Sequence, residues 1–179
     1  MKKNMQTPSQ TIGPFFAYSL AAPQYGYDFT EVMNGTMVAE DVAGDRIIIR
    51  GRVLDGNGEP ITDALIEFWQ SDIKAFGRFG TGTDPLHRFV FETIKPKSAE
   101  GQAPHIVVIV FMRGLLVHAY TRLYFSDEMI ANQNDAVLKS VPEARRATLI
   151  AKRKDENGKI VYELDIVMQG EGETVFFDV

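Results

Sequence analysis

Eight consecutive residues, HIVVIVFM at 105–112, constrain this chain more than any other stretch. The five residues after His105 are all β-branched, and such side chains suit a pleated strand better than a helix. The run is far shorter than the roughly 20 apolar residues that a membrane helix needs. Strand geometry puts His105, Val107, Ile109 and Phe111 on one side and Ile106, Val108, Val110 and Met112 on the other. A strand apolar on both sides needs cover on both. It is either a central strand under a helix or loop, or a strand with one face against another subunit.

The flanking sequence supplies the rest of a β structure. RIIIRGRVLD (46–55) runs into the turn formers GNGEP (56–60). ALIEFWQ (64–70) alternates, with Leu65, Glu67 and Trp69 on one face and Ala64, Ile66, Phe68 and Gln70 on the other; Trp69 reads as a core anchor. HRFVFETI (87–94) and HAYTRLYF (118–125) read as strands, while SDIKAFGRFG (71–80) and KSAEGQAP (97–104) read as loops. TLIAKRK (148–154), the turn DENGK (155–159) and IVYELDIVM (160–168) form a hairpin. A helical insertion is expected over about 127–140, where β-branched density is low. The expectation is an all-β, single-domain chain over 1–179. A β-sandwich core of seven or so strands over 46–179 carries a short helical insertion and an extended N-terminal arm over 1–45.

Composition narrows the function classes. There is no cysteine, so disulfides and thiolate metal sites are excluded. The net charge is -5 and the basic runs are short, which argues against nucleic-acid binding. Lys2 and Lys3 followed by the short apolar stretch 15–22 resemble a signal peptide only loosely. Gly13 and Pro14 break the helix that such a segment forms, so a cytoplasmic protein is expected.

The polar candidates are few. His87, His105 and His118 have no i,i+2 or i,i+4 partner, so no single element presents two of them to a metal. Glu171 and Glu173, in QGEGET, can do acid–base work or stand in solvent. P-loop, dinucleotide and nucleophile-elbow motifs are absent. On the 118–125 strand, Ala119, Thr121, Leu123 and Phe125 form a core face, and His118, Tyr120, Arg122 and Tyr124 a polar, aromatic one. An arginine fork between tyrosines suits a planar carboxylate or a subunit contact, and an ordinary solvent-facing strand gives the same alternation.

TPSQTIGPFF (7–16), DGNGEPITDALIEFWQSD, FETIKP, APHIVV, TRLYF, TLIAKR and GEGETVFFD, in this order, resemble the intradiol ring-cleavage dioxygenases over nearly the whole chain. The resemblance implies a heteromer of two related β-sandwich chains. In that family the catalytic beta chain holds one ferric ion, Fe(3+), through two tyrosines and an H-x-H pair. Here the matching strand reads His105-Ile106-Val107, and no tyrosine lies between Tyr27 and Tyr120. The resemblance therefore implies the alpha-type chain, with no catalytic residue and no metal ligand of its own. Its opening segment is expected to line a substrate pocket on the beta subunit through Thr11, Gly13, Pro14 and Phe15, with Arg122 steering an anionic substrate. The implied substrates are protocatechuate (3,4-dihydroxybenzoate) and O2, in aromatic catabolism. A non-enzymatic β-sandwich binding module is the other reading of the strands.

Overall fold

The structure, a computed structural model, describes residues 8, 10–13, 15–30 and 32–178. Lys2, Lys3 and Pro14, singled out above, lie outside them.

The alternating runs become β1 (Arg46–Leu54), β2 (Leu65–Gln70), β3 (Ala75–Gly80), β4 (Arg88–Ile94), β5 (His105–Phe111), β6 (Ala119–Phe125), β7 (Ile150–Glu156), β8 (Lys159–Glu163) and β9 (Ile166–Val167). Their hydrogen-bonded order is β3-β2-β5-β6-β7-β8-β1-β4, with β9 beside β1. Two layers, β3-β2-β5-β6 and β7-β8-β1-β4, are joined where β6 and β7 pair in parallel over two residue pairs. Their inner faces supply the core: Ile66, Phe68, Ile106, Val108, Val110 and Leu123 from one, Ile47, Ile49, Phe89 and Phe91 from the other. Phe68 and Phe91 stack across the gap at 3.9 Å.

The N-terminal segment closes the sheet. The Arg78 N–H of β3 donates to the Asn34 carbonyl. The Glu92 N–H of β4 donates to the Gly35 carbonyl, and the Met37 N–H returns the bond to Glu92. Residues 34–37 thus bridge the two strand edges, removing the exposed ladder that an open sheet presents.

The structure departs from the expected strands in four places. Residues 75–80, expected in a loop, form edge strand β3 on β2. Trp69 is not a core anchor: it sits on the outer face of β2 with 39% of its surface exposed. Tyr124, expected on a polar face, is fully buried with Ala103, Leu138, Val141 and Leu149. The strand expected over 160–168 breaks at Leu164 and Asp165. The Leu164 carbonyl lies where a Cβ on Gly51 would be, 1.7 Å away, and Asp165 Oδ1 takes the Arg52 N–H at 2.8 Å.

The helical insertion is present and longer than expected. It comprises α2 (Met129–Asn134), α3 (Ala136–Ser140), α4 (Glu143–Arg146) and a 3-10 turn at Ala147–Leu149; α1 (Phe16–Leu20) lies in the N-terminal segment. The β7–β8 hairpin turns on Asn157 and Gly158, both at positive φ (50° and 77°), as a two-residue type I′ loop requires.

Candidate functional site

The arm is fastened before it reaches its exposed end. Ala17 of α1 and Ala21 just after it are buried against Leu65, and the Phe16 ring lies 5.4 Å from that of Phe111. Gln24 mimics a strand partner for β3: its amide donates to the Gly80 carbonyl at 2.7 Å and its Oε1 accepts the Gly80 N–H at 2.9 Å. Further along, the Gly114 N–H in the β5–β6 turn donates to Thr11 Oγ1 at 2.6 Å. The Gly13 carbonyl accepts the Phe16 N–H at 3.1 Å, and a Cβ on Gly13 would meet nothing within 4 Å. Phe15 presents 75% of its surface to solvent. Thr11, Gly13 and Phe15 therefore form an exposed lip at the β5–β6 end of the outer face.

Arg122 is elsewhere. It pairs with Val107 of β5, four residues from Phe111, or roughly 13 Å at ~3.3 Å per residue. It lines a cavity of about 480 Å3 with Trp69, Gln102, His105, Val107 and Tyr120. None of the described arm residues borders this cavity, so Thr11, Gly13 and Phe15 fall at one place on the sheet face and Arg122 at another.

The Arg122 cavity is built from below by one buried carboxylate. Asp135 Oδ2 accepts the Ala103 N–H at 2.9 Å, and its Oδ1 accepts the Leu138 N–H at 2.8 Å and the Tyr124 hydroxyl at 3.2 Å. That set ties α3, the 97–104 loop and β6 together. Burial pushes the Tyr124 phenol up to about 12. The ordered loop presents Gln102, whose Oε1 accepts from Arg122 Nη1 at 2.8 Å. His105 Nδ1 lies 2.8 Å from the Ala103 carbonyl. Burial, with a smaller push from the Arg122 charge, holds the imidazole below its usual pKa. The ring is then neutral at pH 7, with N–H at Nδ1 and a free acceptor at Nε2.

This arrangement does not fit a metal. His105 offers one nitrogen, Val107 occupies the i+2 position on the same face, and Arg122 adds a fixed positive charge. Among the described residues no three His, Cys, Asp or Glu side chains gather as a metal site requires. His118 is exposed beside Phe111, and His87 lines a separate cavity on the other layer. Glu173 makes an exposed pair with Arg145 at 3.3 Å and Glu171 is exposed, the solvated outcome for both. The sequence reading missed Gln102 and Asp135. Asp135 carried one signal, its position three residues before Leu138 at a helix start.

The comparisons with known proteins agree with this fold. A family model described as Dioxygenase matches residues 20–93. The protocatechuate 3,4-dioxygenase alpha chain of Burkholderia cepacia is 49% identical, over 97% of this chain and 98% of its own length. The alpha chain from Pseudomonas putida is 40% identical over 97% and 96%. The Burkholderia cepacia beta chain is 31% identical over 86% and 79%. Among solved structures, the dioxygenase domain of a carbohydrate-binding fusion from Streptomyces sp. SirexAA-E shares the fold, with TM-score 0.63, 22% identity and coverage of 77% and 88%.

Proposed function

The chain belongs to the protocatechuate 3,4-dioxygenase alpha-chain family of intradiol dioxygenases, and from that membership we propose that it is the non-iron-binding alpha subunit of an alpha/beta heteromer. The overall reaction is opening of protocatechuate by O2 between its two hydroxylated carbons, giving 3-carboxy-cis,cis-muconate with both oxygen atoms retained. The Fe(3+) belongs to the homologous beta subunit. The enzyme works in the cytoplasm, in aromatic breakdown through the β-ketoadipate route. Residues 1–179 act as one domain, with 1–45 as the arm.

The observation that carries this reading is the pair His105 and Val107. Both flank the cavity on one face of β5, where an H-x-H ligand pair needs two imidazoles. Valine has no donor atom, so the chain's role is to complete a site rather than to hold the metal.

The lip supplies that completion. Gly13 lets a flat aromatic ring approach the backbone, Phe15 gives an apolar wall and Thr11 anchors the segment; Pro14, outside the described residues, belongs to the proposed lining with them. Arg122 acts at longer range, as a fixed positive charge that raises the local concentration of an anionic substrate.

Gly13→Val tests the reading. A Cβ placed there meets nothing within 4 Å in this chain, so the substitution is expected to leave the fold in place while narrowing the partner's pocket. The expected result is an intact heteromer with normal iron content and kcat/KM for protocatechuate reduced about tenfold or more. Unchanged kinetics in the intact heteromer contradict the placement of the lip.

A further inference from the structure

The largest cavity among those described, about 750 Å3 beside β1, β4 and β8, is lined by arginines whose charges are already met. Arg50 pairs with Glu163 at 2.5 Å, Arg52 with Asp165 at 2.6 Å and Arg88 with Asp84 at 2.9 Å. The Arg122 cavity differs. Among the described residues Arg122 has no carboxylate within ion-pair distance. Its Nη1 is held by the neutral Gln102 Oε1 at 2.8 Å and lies 3.5 Å from the Tyr124 hydroxyl. Among the described residues its Nε and Nη2 have no acceptor. A half-buried guanidinium oriented by a neutral amide, with two N–H groups left over, is a preorganised receptor for a planar carboxylate.

The rest of the lining matches an aromatic body behind that carboxylate. Trp69 and Tyr120 offer ring surface, Val107 an apolar floor, and the neutral His105 an acceptor at Nε2 for a ring hydroxyl. About 480 Å3 is the size of a small-ligand cavity. The rim carries one cation, Lys97, and two carboxylates, Asp72 and Glu100, and Asp72 Oδ2 accepts the Lys97 backbone N–H at 3.0 Å. With Arg122 the lining is net neutral, and Arg122 is the cation set among the neutral side chains Gln102, Trp69, Val107 and Tyr120.

We propose that this chain carries its own metal-free binding site for a small aromatic carboxylate, anchored on Arg122 and walled by Trp69, Tyr120 and Val107. It is separate from the lip that completes the partner's pocket, and it binds without turnover.

Trp69 is the chain's one tryptophan and lies in the wall, so its fluorescence reports occupancy. The alpha/beta complex is titrated with benzoate and with neutral benzyl alcohol, and the complex carrying Trp69→Phe serves as the blank for the partner's emission. The expected result is a saturable difference signal with benzoate and none with benzyl alcohol. Arg122→Gln weakens the response about tenfold or more and Val107→Phe, which fills the cavity without changing charge, removes it. Size-exclusion elution of each variant complex confirms assembly. No saturable difference signal, or one that survives both substitutions, overturns the proposal. Protocatechuate turnover is measured in the same samples. Loss of turnover with the benzoate signal intact counts against the lip reading alone, and normal turnover with no signal counts against this site alone.

Discussion

Thr11 and Gly114 are joined by a 2.6 Å hydrogen bond in which the Gly114 N–H donates to the threonine hydroxyl. They are 103 residues apart in the chain, and the bond ties the arm to the β5–β6 turn. An exposed lip of this kind is useful only if its position is defined. Thr11 does that with one side-chain oxygen, at little cost to the fold if it is lost.

Thr11→Val removes the acceptor and keeps the shape. The expected stability change is within about 0.5 kcal/mol, because the bond is solvent-exposed. The kcat/KM of the heteromer for protocatechuate falls several-fold, about 1 kcal/mol of lost positioning. Steady-state oxygen uptake and urea unfolding of the same samples separate the two effects.

Gly80 marks where the arm crosses β3. A Cβ there would lie 2.2 Å from the Tyr25 hydroxyl and 2.9 Å from two of its ring atoms. Gly80→Ala is expected to destabilise by about 1–3 kcal/mol, lowering Tm by several degrees. Tyr25→Ser makes room for the new methyl, so the double variant loses less than the sum of the singles. Additive losses would show that the arm is not packed on Gly80.

Asp135 is the buried link between the helical insertion and the 97–104 loop. Asp135→Ala leaves the Ala103 and Leu138 N–H groups and the Tyr124 hydroxyl without their acceptor. A loss of about 3 kcal/mol or more is expected, since several buried donors are orphaned at once. The benzoate-dependent Trp69 signal should weaken as well, because Gln102 loses its fixed loop.

The strands were legible because runs rich in β-branched and aromatic residues are bounded by turn formers, and within β1 and β5 the buried residues fall at alternate positions. Strand β3 was not, because AFGRFG carries two glycines. Their missing side chains serve the arm that covers them: a Cβ on Gly77 would strike Met37, as one on Gly80 would strike Tyr25. Trp69 was misplaced for a related reason. Leu65, Glu67 and Trp69 alternate as one face, but helix α1 covers only the Leu65 end and leaves Trp69 to the cavity. Tyr124 failed in the opposite sense, its outward position being roofed by an insertion whose length the sequence does not announce. For the site, periodicity isolated Arg122, whereas its separation from Thr11, Gly13 and Phe15 depends on strand register, which one chain's pattern leaves open.

Two tyrosines set the alkaline limit of stability. Burial first, then the neighbouring Asp135 or Asp127, raise Tyr124 and Tyr162 to about 12. A raised folded pKa means that stability is full below the unfolded value of about 10 and is lost as pH rises through the folded value. The urea midpoint is therefore expected to fall between about pH 10 and pH 12. Tyr124→Phe should flatten that fall. A midpoint independent of pH across the window would contradict the burial of both phenols.

The central claim is that this chain completes an iron site it does not hold. The direct measurement is iron content together with protocatechuate-dependent oxygen uptake, for the chain alone and for the chain co-expressed with its homologous beta chain. The account predicts an iron-free, inactive chain, and an alpha/beta complex that contains iron and consumes oxygen. Stoichiometric iron and ring cleavage by the chain alone would contradict it, and would require a ligand set around His105 that its Val107 and Arg122 neighbours do not provide.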